Sequence, residues 1–154
     1  MAKESPLKGK IVLVVDDERD VLDTVADELD MCIVHKAKDY DTALQYLLSY
    51  TYDVVILDIM GVDGFELLKR SVERGFPSVM LTAHALTPDA LKKSIKLGAL
   101  SFLPKERIFL ETDGASVDIR EIYRKVSGDL AMDVDELKNI IISNFSFLFN
   151  KLKL

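Results

Sequence analysis

Two short apolar runs, KIVLVV at 10–15 and DVVILD at 53–58, constrain the fold more than any other part of this chain. They show no alternation of apolar and polar residues and are too short for a core helix, so each reads as a strand covered on both faces. Both runs end in acid. Asp16 and Asp17 follow the first, and Asp58 closes the second. Two buried strands that deliver carboxylates at their carboxyl ends define a small acidic pocket.

The segments around these runs alternate in the same way. Val21, Leu22, Val25, Ala26 and Leu29 recur at helical spacing after the first strand, and a second strand fits 31–36 (MCIVHK). A helix over about 40–50 would bury Ala43, Leu44, Leu47 and Leu48. Gly64 opens a helix carrying Phe65, Leu67, Leu68 and Val72, and Gly75 with Pro77 punctuates its end. A fourth strand fits 77–83 (PSVMLTA). Thr87, Pro88 and Asp89 then form a helix start, with a capping hydroxyl, proline at the first helical position and an acid in the first turn. Gly98 stops that helix, and 99–103 makes a fifth strand. Strands joined by helix-length crossovers predict an α/β fold, a doubly wound five-stranded parallel sheet with helices on both faces.

Ligands of such sheets sit beyond the carboxyl ends of the strands, where strand order reverses. The strand ends deliver Asp16 and Asp17, Asp58, Thr82 and, just past the fifth strand, Lys105. Taken singly each is unremarkable: an aspartate such as Asp17 after a strand often only caps the next helix. Together, three carboxylates repel one another unless a cation sits among them, and a hard divalent ion with oxygen ligands resolves the conflict. An ammonium and a hydroxyl facing the same spot suit a phosphoryl group, whose oxygens need positive charge and donors.

Composition narrows the function classes. The chain has 154 residues with a net charge of −6, which gives no general attraction to nucleic acid or to an anionic membrane surface. The single cysteine, Cys32, excludes an internal disulfide and is expected to be a small buried hydrophobe. No uncharged apolar stretch approaches the roughly 18 residues that a membrane helix requires, so a cytoplasmic protein is expected. His35 and His84 are not spaced with Cys32 as metal ligands.

The ordered set Asp16-Asp17, Asp58, Thr82-Ala83 and Lys105 resembles the response-regulator receiver domain of two-component signalling, over about residues 10–127. That resemblance implies a flavodoxin-like (CheY-like) fold with strand order 2-1-3-4-5. It implies that Asp58 is a phosphoacceptor that takes a phosphoryl group from a histidine kinase or phosphotransfer protein. It implies Mg2+ held by Asp16, Asp17, Asp58 and the backbone carbonyl of Met60. Thr82 would hydrogen-bond a phosphoryl oxygen and Lys105 would pair with another. Thr82 and Phe102 would form the switch, the ring filling space that Thr82 leaves. The chain would be a signalling protein with at most weak autophosphorylation and autodephosphorylation, read by an unknown downstream protein through the face of helix 4, strand 5 and helix 5, where Lys92, Lys93 and Lys96 lie.

Two features depart from the family pattern. The segment DIMGVDG is about two residues shorter than usual after the phosphoacceptor, with Gly61 where a Met-Pro pair would end. The lysine is preceded by proline, in Leu103-Pro104-Lys105-Glu106, so any cis bond there belongs to Leu103-Pro104. Two other classes remain open. One is a receiver-like interaction module without phosphorylation. The other is a Mg2+-dependent phosphohydrolase, which normally needs a second acid two residues after the nucleophile, where this chain has Met60.

Residues 1–9 read as a polar tail and 106–115 as an extended loop. A helix is expected over 116–127, from Val117, Ile122, Tyr123 and Val126. In 128–154, Asp133 and Glu136 resemble a capping arrangement for an extra C-terminal helix with a seam of Leu137, Ile141, Phe145, Leu148 and Leu152. Ile140, Ile142, Phe147 and Phe149 lie off that seam, so the amphipathic extension is expected to pack partly on its own domain and partly on a partner, a homodimer being one arrangement. It has few lysines for a membrane surface and no room for a helix-turn-helix.

Overall fold

A computed structural model describes residues 5, 7–82 and 87–105, and singly 128, 133, 135 and 139. Nine elements alternate along it: β1 (Ile11–Val15), α1 (Arg19–Glu28), β2 (Ile33–Ala37), α2 (Tyr40–Ser49), β3 (Val54–Asp58), α3 (Gly64–Glu73), β4 (Ser78–Thr82), α4 (Pro88–Lys96) and β5 (Ser101–Pro104). All strand pairs are parallel, in the order β2-β1-β3-β4-β5, the flavodoxin-like arrangement. The expected helix over 116–127 and the extension over 128–154 lie outside the described residues, apart from four single positions. One of these bears on the expected cap: Asp133 Oδ1 accepts from the Asp135 N–H at 2.7 Å.

The unbroken apolar runs are explained by the sheet's two covered faces. Along β1, Leu13 and Val15 join a core with Ala43 and Leu47 of α2, Leu67 and Leu68 of α3, and Ile95 of α4. Val12 and Val14 point the other way and pack with Val21, Leu22 and Val25 of α1. β3 divides alike, Val55 and Leu57 to the first core and Ile56 to the second. Both strands are inner members of the sheet, so neither face has room for a polar alternation.

Helix starts follow local chemistry at two points. Asp39 Oδ1 accepts from the Thr42 N–H at 2.8 Å at the start of α2, and Thr87 caps α4 through Ala90 N with Pro88 in the first turn, as expected. At the start of α1 the alternative of Asp17 as a plain helix cap does not hold. The cap position is Glu18 and not Asp17, and the Glu18 side chain makes no capping bond.

Four other expectations are corrected. Leu48 is 62% exposed, because only Ala43 and Leu47 of α2 face the sheet squarely. Cys32 is half-buried and its Sγ lies 3.3 Å from the Leu7 carbonyl oxygen, at the surface and not in the core. β2 begins at Ile33 and not at Met31, since the Cys32 N–H is used in a turn to Leu29 O. β5 spans Ser101–Pro104, two residues later than expected at its start, because Ala99 N–H still closes the end of α4 on Ser94 O. Among the described residues no peptide bond is cis, Leu103-Pro104 included.

Candidate functional site: an ammonium among carboxylates

Register brings the acids level. Val15 of β1 pairs with Leu57 of β3, so the next residues, Asp16 and Asp58, stand side by side at the point where the chain order reverses. Asp58 in turn pairs with Leu81, one residue before Thr82, and Thr82 pairs with Pro104, one residue before Lys105. The four strand ends that the sequence singles out therefore converge at one edge of the sheet. The Thr82 side chain, and residues 83–86 with His84, lie outside the described set.

Lys105 is the hub. Its Nζ lies 2.9 Å from Asp16 Oδ2, 2.9 Å from Glu18 Oε1 and 3.3 Å from Asp58 Oδ2. Asp16 and Asp58 are buried and the lysine side chain is only 12% exposed, whereas Glu18 reaches in from solvent. Asp16 Oδ1 also accepts from the Glu18 N–H at 2.9 Å. Among the described residues Asp58 Oδ1 is buried and accepts no hydrogen bond.

Electrostatics follow from that packing. Burial, and then the charge of Asp16, pushes the Asp58 carboxyl up to about 6, against the opposing pull of Lys105 and the nearby Met60 N–H. Burial likewise raises Asp16, although its contacts with Lys105 and the Glu18 N–H work against the shift. Burial alone would lower Lys105; its contacts with Asp16 and Glu18 and the charge of Asp58 outweigh this and hold the ammonium above the ordinary lysine range.

The acidic cluster is wider than the sequence reading made it. Carboxylate oxygens of Asp16, Asp17 and Glu18 lie within 4.8 Å of one another, and Asp58 is tied to the group through the shared ammonium. Asp16, Asp17, Glu18 and Asp58 are four acids against one lysine, and the donors are all oxygens, a set that fits a hard divalent cation. Asp58 Oδ1, buried and with no well-formed hydrogen bond among the described residues, is the further acceptor that such an ion or a phosphoryl group would satisfy.

The short loop after β3 is shaped around the same cluster. Gly61 has φ +83, and a Cβ on it would stand 2.6 Å from Asp17 Oδ2. A Cβ on Gly64 would collide with the backbone carbonyl of Asp58. Both glycines therefore permit close approach, one of the Asp17 carboxylate and one of α3 to the strand end. Met60, expected to offer its carbonyl, lies in this loop and is 65% exposed. Phe102 on β5 is 9% exposed and packs in the first core, opposite Met80.

Glu18 and Gly61 are the site residues that the sequence reading missed. The run Asp16-Asp17-Glu18 carried a signal for the first, three consecutive acids after a buried strand. In the sequence Gly61 marks only loop shortening, since its approach to Asp17 is between distant parts of the chain.

Comparison with known proteins agrees with this geometry. The family profile described as response regulator receiver domain matches residues 12–109. The chain is 36% identical over 159 aligned residues to the transcriptional regulatory protein DltR of Streptococcus agalactiae, an alignment covering 89% of this chain and 69% of that protein. It is 32% identical over 127 residues to a protein-glutamate methylesterase/protein-glutamine glutaminase 2 of Nitratidesulfovibrio vulgaris, covering 75% of this chain and 34% of that one. The chain thus spans about a third of the methylesterase and about two thirds of the regulator. Among solved structures it is similar to the chemotaxis protein CheY4 of Vibrio cholerae, with TM-score 0.58 and 28% identity over 68% of this chain and 95% of that one. Fold, strand-end chemistry and sequence similarity converge: this chain belongs to the response regulator receiver domain family of two-component signalling.

Proposed function

We propose that this receiver accepts a phosphoryl group on Asp58 in a Mg2+-dependent reaction, the donor being a phosphohistidine on a histidine kinase or phosphotransfer protein. The observation that carries the reading is the Asp58 carboxylate itself. It is buried, one oxygen faces the Lys105 ammonium, and the other accepts no hydrogen bond among the described residues.

In the transfer an Asp58 oxygen attacks phosphorus, the P–O bond forms, the P–N bond to the donor imidazole breaks, and the imidazole leaves with the electron pair. Asp58 must be ionised to attack, and the adjacent ammonium favours that form against burial and the charge of Asp16. Lys105, 3.3 Å from Asp58 Oδ2, would pair with an incoming phosphoryl oxygen, and Thr82, at the end of β4, would donate its hydroxyl to another. Asp16 and Asp17, with Asp58 and the Met60 carbonyl, would hold Mg2+, which when bound supplies positive charge to the phosphoryl oxygens. Phosphorylation would draw Thr82 inward and let the Phe102 ring shift, a change of packing, since phenylalanine has no hydroxyl to offer a partner.

The signal would then be read by a downstream protein through contacts with α4 and β5, or by a second copy of this chain. We place the receiver at 10–127, with 128–154 as a C-terminal extension, and the protein in the cytoplasm. Among the described residues no helix is long and apolar enough to cross a membrane.

The test is incubation with Mg2+ and acetyl phosphate, followed by intact mass, with Asp58→Asn as control. A mass increase of one phosphoryl group that requires Mg2+ and Asp58 is expected. Rapid turnover of many phosphomonoesters would instead indicate a hydrolase. No adduct with acetyl phosphate, and no response to beryllofluoride, would leave an interaction module without phosphorylation.

A further inference from the structure

An ammonium has three N–H donors, and the Lys105 ammonium faces three carboxylates. Two of them, Asp16 and Asp58, belong to the pocket. The third comes from the outside: Glu18 is 63% exposed at its side chain and 87 residues away in sequence. Glu18 also occupies the cap position of α1 without capping it, although that end of the helix offers free N–H groups. Its neighbour Arg19 is turned to Asp23 at 3.6 Å, so among the described residues the Glu18 carboxylate is committed to Lys105.

We infer that Glu18 is a positioning residue for Lys105: its carboxylate holds the ammonium at the mouth of the pocket and competes with the phosphoryl group for it. This deepens the proposal above and rests on Asp58 being the phosphoacceptor. The distances carry the direction of the effect. Lys105 is 2.9 Å from Glu18 and from Asp16 but 3.3 Å from Asp58, so these two carboxylates together hold the ammonium off the reacting one. A phosphoryl group on Asp58 needs a donor from this lysine. Of the two short contacts, the one to Glu18 is cheaper to release, because an exposed carboxylate regains water whereas buried Asp16 does not. Glu18 would therefore oppose the phosphoryl-bound position of Lys105 and disfavour the phosphorylated state.

The test compares wild type with Glu18→Gln, which keeps the size of the side chain and removes its charge. In metal-free protein, amine modification of Lys105 mapped by mass spectrometry should rise, by roughly two- to fivefold for the loss of an exposed ion pair. Lys36, paired with Asp23 at 2.8 Å, is the internal reference and should not change. At saturating Mg2+, the beryllofluoride concentration for half-saturation should fall by a similar factor in Glu18→Gln, with thermal melting unchanged. A merely structural role would weaken beryllofluoride binding or leave it alone, and would not tighten it. Unchanged Lys105 reactivity, or beryllofluoride binding equal to or weaker than wild type, overturns the inference. If wild type itself gives no Mg2+-dependent beryllofluoride response, the assignment of Asp58 falls, and the amine reactivity alone then decides whether Glu18 holds Lys105.

Discussion

Gly61 lies directly beneath the carboxylate of Asp17, so close that a Cβ at residue 61 would stand 2.6 Å from Oδ2. The loop after β3 and the acids after β1 are thus fitted to one another, and the position of one sets the position of the other. Gly61→Ala must either push Asp17 aside or move the loop, and it also places alanine at φ +83, which costs about 1–2 kcal/mol. Mg2+ affinity, followed by NMR shifts of the strand ends, is expected to fall at least about tenfold, because a carboxylate displaced by an ångström no longer shares the cation. Retained affinity with only a lower melting temperature would show that Asp17 is not a ligand.

A second prediction concerns pH. Asp58 is pushed up to about 6, chiefly by burial, while an unfolded aspartate titrates at about 3.9. Between these values the folded chain binds more protons than the unfolded one, so this group makes stability fall as pH rises through roughly 4 to 6. Asp16 is shifted in the same direction and adds to the effect. Asp58→Asn removes the buried charge and is expected to be more stable than wild type at pH 7.5 by about 3 kcal/mol, with little difference near pH 4. Denaturant unfolding of both proteins at the two pH values, without Mg2+, checks this. A pH-independent difference would show that the charge is not what strains the site.

The lysine supplies the opposite case. Lys105→Met keeps most of the side-chain volume but leaves Asp16 and Asp58 buried without a cation. At pH 7.5 this is expected to destabilise the metal-free protein by about 3 kcal/mol. Lowering the pH protonates the carboxylates, and adding Mg2+ neutralises them, so either should recover much of the loss. A melting temperature insensitive to both would mean that the Lys105 contacts contribute nothing to folding.

Away from the pocket, the hydroxyls of Ser71 on α3 and Ser78 on β4 meet at 2.6 Å in a fully buried position. Ser71→Ala should cost only about 1 kcal/mol in chemical denaturation, because Ser78 keeps a second bond at 3.0 Å to the Phe76 carbonyl oxygen. A loss several times larger would mean that the two hydroxyls act as one unit.

The sequence made the inner strands legible because β1 and β3 are covered on both faces, and only uninterrupted aliphatic runs satisfy that. It made the convergence of Asp16, Asp58 and Lys105 legible because strand ends are where an α/β sheet places its chemistry. Glu18 was not legible in the same way. Locally it is one more acid at a helix start, and its role depends on a lysine 87 residues later, brought near only by the strand order. For Asp17, local spacing left a plain helix cap open as the alternative, since it does not show that the carboxylate rests on Gly61. The exposure of Leu48 was missed because helical periodicity defines an apolar stripe without saying how much of it the sheet covers.

The loop between β3 and α3 divides its positions sharply. Ile59 and Val62 are buried, and Gly61 and Gly64 are closed to any side chain. Asp63, at φ 51, admits only residues that tolerate a left-handed backbone, which leaves Met60 as the one position open to free variation. The rim of the pocket can therefore change at residue 60 while the backbone that carries Asp58 stays fixed, so surface chemistry and strand-end geometry are separable within a few consecutive residues.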